Sequence, residues 1–309
     1  ADFPWRPANN INHTPFPEPV PYAGDKRIFM AEQFYDVQDP AYRKLHTAYI
    51  RKCLDNFRDN SGVLQLISAE YTGPLHFVQF WLDTIKAWEN ETGKRALVGL
   101  STTKDVQDAI LTDPARAAVV DVIDIRYWHY QETGMAYAPQ GGQNLAPRQH
   151  ARLLKPKRTS PEQVYRAVRE YKQKFPAKAV MYSGDNWDSM GWAVLMAGGS
   201  LAALPQLNER FLQAAATMKP LVIKGPKEQW VLKGEDGYII YRNNADPVQV
   251  ALSSGDYKMR VIDPKTGAFV GNEVTVTNSN ELEAQSNGGV VLWLQAVPKQ
   301  KQNDSSTRR

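Results

Sequence analysis

The sequence predicts an α/β protein in two parts: a (β/α)8 TIM-type barrel followed by an antiparallel β-sandwich. From Asp39 to Met218, helical and strand patterns alternate, which implies a parallel sheet covered by helices. Beyond Pro220 the apolar runs are short and separated by turn sequences such as Asp263–Gly267, as in a sandwich. The tail after Pro298 is polar and unpatterned. The expected domains are 1–219 for the barrel part, 220–298 for the sandwich and 299–309 for a disordered tail.

Local signals place the individual elements. Asp39 and Pro40 supply an N-cap and a first-turn proline, and Gly93 ends the helix that follows Pro74. Strands are predicted where short apolar runs rich in β-branched residues lie between helices. The predicted helices are 39–60, 74–92, 103–111, 160–175, 187–197 and 208–218. The predicted strands are 63–69, 96–100, 117–125, 178–183 and 198–204 in the first part, and 229–232, 238–241, 248–252, 257–262 and 290–294 in the second.

Composition excludes several classes of function. The chain has 37 basic and 33 acidic residues spread along its length, with no run that would track a phosphate backbone, so we expect no nucleic-acid partner. No stretch reaches the roughly 20 apolar residues of a membrane span. The single cysteine, Cys53, forms no internal disulfide, and the five scattered histidines predict no metal site. Gly141-Gly142 lacks the Lys-Ser/Thr of a phosphate loop, so no cofactor is expected.

Aromatic residues are unusually frequent, with eight tryptophans and fourteen tyrosines, many beside polar loop residues. Such surfaces stack on the C–H faces of sugars. The first 22 residues contain six prolines and no hydrophobic period, which predicts a long irregular loop with binding residues. The loop 137–152 is long and polar, and we expect it to be a lid that shapes the substrate site.

Two carboxyl groups follow predicted strands of the barrel, where functional residues of this fold stand. Glu70 and Asp185 suit the paired acid and base that glycosidic cleavage requires. Two other interpretations remain open: Glu70 pairs with Arg126, or Asp185 caps the next helix. Arg6, Arg126 and Arg148 are either ligands of a uronic or sulfated sugar or partners of nearby carboxylates. His129 either bonds a sugar hydroxyl or is structural.

The segments ADFPWRPANNINHT, EYTGPLHFVQFWLD, IDIRYWHY and YSGDNWDSMGWAVLMAGGS resemble a bacterial family found among polysaccharide-degrading enzymes. The strand order and the positions of Glu70, Trp128, His129 and Asp185 resemble the second half of clan A (β/α)8 glycoside hydrolases. The resemblance implies strands four to eight of the barrel, with strands one to three supplied by an upstream segment or a second chain. It also implies a periplasmic or secreted protein, and a final sandwich similar to the collagen-binding-type domain appended to related glycosidases, for which we expect a packing role rather than adhesion.

In that clan the acid/base glutamate closes strand four and the nucleophile closes strand seven, which implies these roles for Glu70 and Asp185. The sequence departs from the pattern, because Ala69 stands where the clan has Asn and Asp185 where it has Glu. The shorter aspartate keeps both retaining and inverting cleavage open. We expect a glycosidase acting on plant or algal polysaccharides, with an inactive carbohydrate-binding barrel as the alternative. The expected substrate-binding residues are Trp5, Arg6, Asn10, His13, Tyr71, Arg126, Trp128, His129 and Trp187.

Overall fold

The computed structural model describes residues 5–18, 31–67, 72–143, 145–223, 227–277, 281–282 and 288–298. The chain divides into two compact units, Ala1–Asn186 and Trp187–Arg309. The tail expected to be disordered, 299–309, lies outside the described residues. Across the described ranges, no helix has the length and apolar character needed to cross a membrane.

The first unit is built on a parallel sheet. Its strands are β1 (Leu64–Ile67), β2 (Leu97–Leu100), β3 (Val122–Ile125), β4 (His129–Tyr130), β5 (Ala136–Tyr137) and β6 (Ala179–Tyr182). Its helices are α1 (Ala31–Tyr35), α2 (Pro40–Asn56), α3 (Leu75–Thr92), α4 (Lys104–Thr112), α5 (Pro114–Ala117), α6 (Pro147–Leu154) and α7 (Pro161–Lys174). The sheet has the order β1-β2-β3-β6, while β4 and β5 form a short antiparallel hairpin. The predicted alternation of parallel strands and helices is confirmed in this unit.

The helices begin and end for the predicted reasons. The Asp39 carboxylate accepts hydrogen bonds from the backbone N–H of Ala41 at 2.7 Å and of Tyr42 at 3.2 Å, which caps α2. Gly93, with φ 66°, takes the left-handed conformation that ends α3. The loop expected at 137–152 is only partly irregular, because α6 occupies its second half.

The second unit is an antiparallel sandwich that also contains two helices. Its elements are α8 (Gly191–Met196), α9 (Glu209–Thr217), β7 (Lys219–Leu221), β8 (Gln229–Gly234), β9 (Gly237–Arg242), β10 (Val248–Gln249), β11 (Asp256–Ile262), β12 (Phe269–Thr277), β13 (Glu281–Leu282) and β14 (Val290–Ala296). Six strands form one sheet in the order β12-β11-β14-β9-β8-β7, and β10 pairs with β13. Buried side chains of the six-stranded sheet, including Ile240 and Leu292, pack with Val248 and Leu282 of the β10–β13 pair.

Helices α8 and α9, which we expected in the barrel part, belong to this second unit. The Trp192 ring stacks on Tyr241 with centroids 5.5 Å apart, and Phe211 meets Trp293 edge-on at 5.7 Å. Aromatic contacts of this kind add to the burial of large apolar surfaces. The two helices therefore cover one face of the antiparallel sheet.

The strand predicted at 198–204 is absent, and this part of the described chain is irregular. Gly198, with φ 79°, and Leu201, with φ 52°, are both in the left-handed region, which interrupts an extended strand. The parallel sheet of the described residues therefore has four strands, where strands four to eight would give five.

Candidate functional site

Three side chains meet at the carboxyl ends of β2, β3 and β6. Asp124, which is 0% exposed, accepts hydrogen bonds from Ser101 Oγ at 2.8 Å and from Ser183 Oγ at 2.6 Å. Burial raises the pKa of the Asp124 carboxyl, while the two serine bonds and the charge of Arg126 oppose that rise. Asp124 was not among the predicted site residues, although it is a charged residue within a run of β-branched residues. Its hydrogen bonds connect the ends of these three strands.

Gln107 of α4 connects the ends of two strands. Its Nε2 donates to the backbone oxygen of Leu100 at 3.1 Å and of Asp124 at 3.0 Å. Its Oε1 accepts a hydrogen bond from Trp128 Nε1 at 3.1 Å. Trp128 is 0% exposed and the Lys104 ammonium lies 4.6 Å from its ring centroid. The expectation that Trp128 contacts substrate is therefore wrong, because its ring presents no free face to a ligand.

A cavity of about 280 Å³ opens at the same end of the sheet. The described residues that line it are Thr72, Arg126, Tyr127, His129, Tyr137, Pro139, Pro147, Ala151, Pro156, Lys157, Arg158 and Asp185. They come from the segments after β1, β3 and β6, from the β4–β5 hairpin with the loop that follows it, from α6 and from the segment after α6. Three of the predicted site residues, Arg126, His129 and Asp185, are brought together here.

The position of His129 is fixed by a backbone contact. Its Nε2 lies 3.0 Å from the carbonyl oxygen of Lys157, and its ring centroid lies 5.1 Å from that of Tyr137. A carbonyl oxygen only accepts, so Nε2 carries the hydrogen. This bond joins the hairpin to the segment that carries Lys157 and Arg158, two cavity residues that sequence reasoning missed. The signal that would have found them is the basic run from Lys155 to Arg158.

Asp185 is exposed and follows β6 directly. Its backbone oxygen accepts a hydrogen bond from Tyr182 Oη at 2.9 Å, and its Oδ2 accepts one from Asn186 Nδ2 at 3.2 Å. Asn186 has φ 52°, a conformation that asparagine tolerates, so the chain turns sharply after Asp185. The turn leaves the carboxylate accessible at the rim of the cavity.

Two predicted residues, Glu70 and Tyr71, lie outside the described residues. On one side of them β1 ends at Ile67, and on the other side Thr72 lines the cavity. Thr72 Oγ1 donates to the Leu145 carbonyl at 2.6 Å, which ties this segment to the loop before α6. The pairing of Glu70 with Asp185 stays a prediction.

The predicted residues of the first segment lie elsewhere. The Trp5 ring packs 4.9 Å from the His46 ring and 5.5 Å from the Tyr49 ring, on α2. Arg6 forms an ion pair with Glu18, Asn10 Oδ1 accepts from the Asn12 backbone at 2.8 Å, and His13 is exposed. Arg148 is exposed on α6, and Trp187, 53% exposed, belongs to the second unit. None of these six is among the described residues that line the cavity.

Comparison with solved structures shows that the fold is similar to that of two glycoside hydrolases. One structure described as a glycoside hydrolase aligns with a TM-score of 0.53 and 13% identity, covering 82% of this chain and 69% of the other. A glycoside hydrolase family 5 protein from Bacteroides vulgatus ATCC 8482 aligns with a TM-score of 0.51 and 12% identity, covering 82% of this chain and 67% of the other. At this identity the likeness concerns the fold alone.

The sequence comparison gives the family. Residues 1–218 match the family described as Domain of unknown function (DUF6298), and the chain belongs to that family. None of the curated proteins compared with the chain matches it.

Proposed function

We propose that this chain is a glycoside hydrolase that cleaves a plant or algal polysaccharide or oligosaccharide outside the cytoplasm. The observation that supports this most is the cavity at the carboxyl ends of the parallel strands, where Asp185, Arg126, Tyr127 and His129 meet. Functional residues of (β/α)8 enzymes stand at this end of the sheet. The likeness of the fold to glycoside hydrolases supports the same reaction class.

The proposed reaction uses two carboxyl groups. Glu70 donates a proton to the glycosidic oxygen as the bond from that oxygen to the anomeric carbon breaks. Asp185 either attacks the anomeric carbon, giving a covalent intermediate that water hydrolyses, or takes a proton from a water molecule that attacks directly. The first path requires carboxyl groups about 5–5.5 Å apart and the second about 6.5–9.5 Å apart.

The other cavity residues would hold the sugar. Burial raises the pKa of Tyr137, so its hydroxyl stays protonated at neutral pH and donates a hydrogen bond to a sugar oxygen. Tyr127 is buried beside Arg126, whose guanidinium carbon lies 5.6 Å from the Tyr127 ring centroid. Aromatic and polar groups mixed in this way are typical of sugar sites.

A second candidate function is a catalytically inactive carbohydrate-binding barrel. One observation favours it: Asp185 is the single carboxylate among the described residues that line the cavity. If Glu70 does not face the same cavity, the second carboxyl group that hydrolysis requires is missing.

The test is the release of sugar from a panel of plant and algal oligosaccharides by the wild type, Glu70→Gln and Asp185→Asn. Asp188→Asn is the matched control, because Asp188 is also exposed and does not line the cavity. We expect the rate to fall roughly 100-fold or more in the first two variants and to stay unchanged in the control. Equal rates in all four proteins would overturn the proposed roles. Binding of a glycan without release would favour the inactive barrel.

A further inference from the structure

Among the described residues that line the cavity, positive charges outnumber negative ones. Arg126, Lys157 and Arg158 line it, against the single described carboxylate of Asp185. No ion pair joins any of these three cations to a carboxylate of the described residues. An excess of unpaired positive charge in a concave site attracts an anionic ligand.

Two arginines on the helical layer of the same unit are arranged differently. Arg51 pairs with Glu91 at 2.6 Å, and Arg116 pairs with Asp83 at 2.9 Å. Exposed arginines such as Arg152 and Arg210 form no ion pair with a described carboxylate either, but they do not line the cavity. The cations of the cavity are distinguished by lining one concave site together.

The buried carboxyl of Asp124 forms no ion pair with Arg126 among the described residues. Its two oxygens instead accept hydrogen bonds from Ser101 and Ser183. Arg126 is half-buried and lies beside the Tyr127 ring, so its position is restricted. A guanidinium held in this way offers paired donors that match the oxygens of a carboxylate or sulfate.

We propose that the cavity recognises a sugar residue that carries a carboxylate or sulfate group, bound by Arg126, Lys157 and Arg158 beside Asp185. The inference rests on the proposed function, since it names the substrate class of the same site. The volume of about 280 Å³ suits one sugar residue, because it lies near the lower end of the range of about 300–1,000 Å³ typical of ligand pockets.

The test is calorimetric titration with three probes: an oligouronide, the same oligosaccharide with its carboxyl groups reduced to alcohols, and a sulfated oligosaccharide. We expect the wild type to bind at least one acidic probe roughly 10- to 100-fold more tightly than the neutral one. The two acidic probes distinguish a carboxylate from a sulfate. Binding should weaken as salt rises, because screening reduces the attraction between charges.

Two variants and one control assign the effect to the cavity. Arg126→Gln and Arg158→Gln should each remove most of the preference for the acidic probe; Arg158 is exposed, so its substitution leaves the fold intact. Arg210→Gln changes the net charge equally at an exposed position of the second unit and should retain the preference. Equal affinity for acidic and neutral probes, or an unchanged preference in both cavity variants, would overturn the inference.

The inference and the proposed function can fail separately. Hydrolysis of neutral glycans alone would overturn the inference and leave the proposed function intact. Charge-dependent binding without hydrolysis would support the inference and contradict the proposed function.

Discussion

Ser183 Oγ donates a hydrogen bond to Asp124 Oδ1 across 2.6 Å, from the end of β6 to a fully buried carboxyl group on β3. Ser101 Oγ binds the other oxygen of the same carboxyl group. Three parallel strands, β2, β3 and β6, thus share a polar contact at their carboxyl ends.

The substitution Asp124→Asn should change how stability depends on pH. Burial raises the pKa of Asp124 in the folded chain above the unfolded value of about 3.9, so the folded state binds the proton more tightly. That stabilisation is present below pH 3.9 and is lost as pH rises through the folded pKa. Asparagine does not ionise and therefore loses no such stabilisation. The free energy of unfolding of Asp124→Asn should increase relative to that of the wild type as pH rises from about 4 to about 7.

Urea unfolding at several pH values measures this difference, with Asp188→Asn as an exposed control. A wild-type-minus-variant difference that stays constant between these pH values would contradict the prediction.

Replacing Gln107 by Leu should destabilise the first unit. The change leaves the carbonyl oxygens of Leu100 and Asp124 and the Nε1–H of Trp128 without their partner in a buried region. An unsatisfied buried group costs about 1–3 kcal/mol, so we expect the free energy of unfolding to fall by about 3 kcal/mol or more. Gln173→Leu, at an exposed position of α7, should change it little when measured by the same urea titration. Equal losses in the two variants would show that the Gln107 contacts do not stabilise the fold.

Glu170 should contribute to stability mainly above acid pH. Burial opposes its ionisation, but hydrogen bonds from Tyr130 and Lys174 and the charge of Lys104 outweigh burial and lower the pKa of Glu170 to about 2. A lowered folded pKa stabilises above the unfolded value of about 4.3, and the contribution is lost as pH falls towards 2. Glu170→Gln should therefore be less stable than the wild type at pH 6, with the difference shrinking below pH 4.3.

Denaturation of both proteins across pH 2–6 measures the difference, and Glu162→Gln at an exposed position of α7 is the control. If the difference in free energy of unfolding between the wild type and Glu170→Gln grew as pH fell, this would contradict a lowered pKa of Glu170 in the folded chain.

The sequence predicts the helices of the first unit better than it predicts the site. Helix signals are local, because each boundary depends on one or two neighbouring residues. Asp39 and Pro40 start α2, and Gly93 ends α3. The long strand β12 was missed because most of its side chains are exposed, so it lacks a buried apolar pattern.

The site depends on contacts that sequence spacing does not contain. Ser101 meets Asp124 because Leu100 pairs with Ile123 in the sheet, and a shift of one residue in this register would place the two side chains on opposite faces. The sequence Tyr127-Trp128-His129 likewise gives Trp128 and His129 as candidates without showing which side chain is enclosed. Trp128 turned inward to Gln107, whereas its two neighbours line the cavity.

The close approach of Gly191 to Ala203 gives the last prediction. A Cβ atom on Gly191 would lie 1.7 Å from the Ala203 carbonyl oxygen and 2.5 Å from its carbonyl carbon. At an unconstrained helix position, Gly→Ala stabilises by about 0.5–1 kcal/mol. Here the backbone of the irregular segment must shift, so we expect Gly191→Ala to lower the free energy of unfolding by about 1–3 kcal/mol or more. Gly288→Ala is the control, because its Cβ would meet no atom within 4 Å. Thermal unfolding followed by circular dichroism measures the stability of both variants and the wild type. A Gly191→Ala variant more stable than the wild type would contradict the packing of the 198–204 segment against α8.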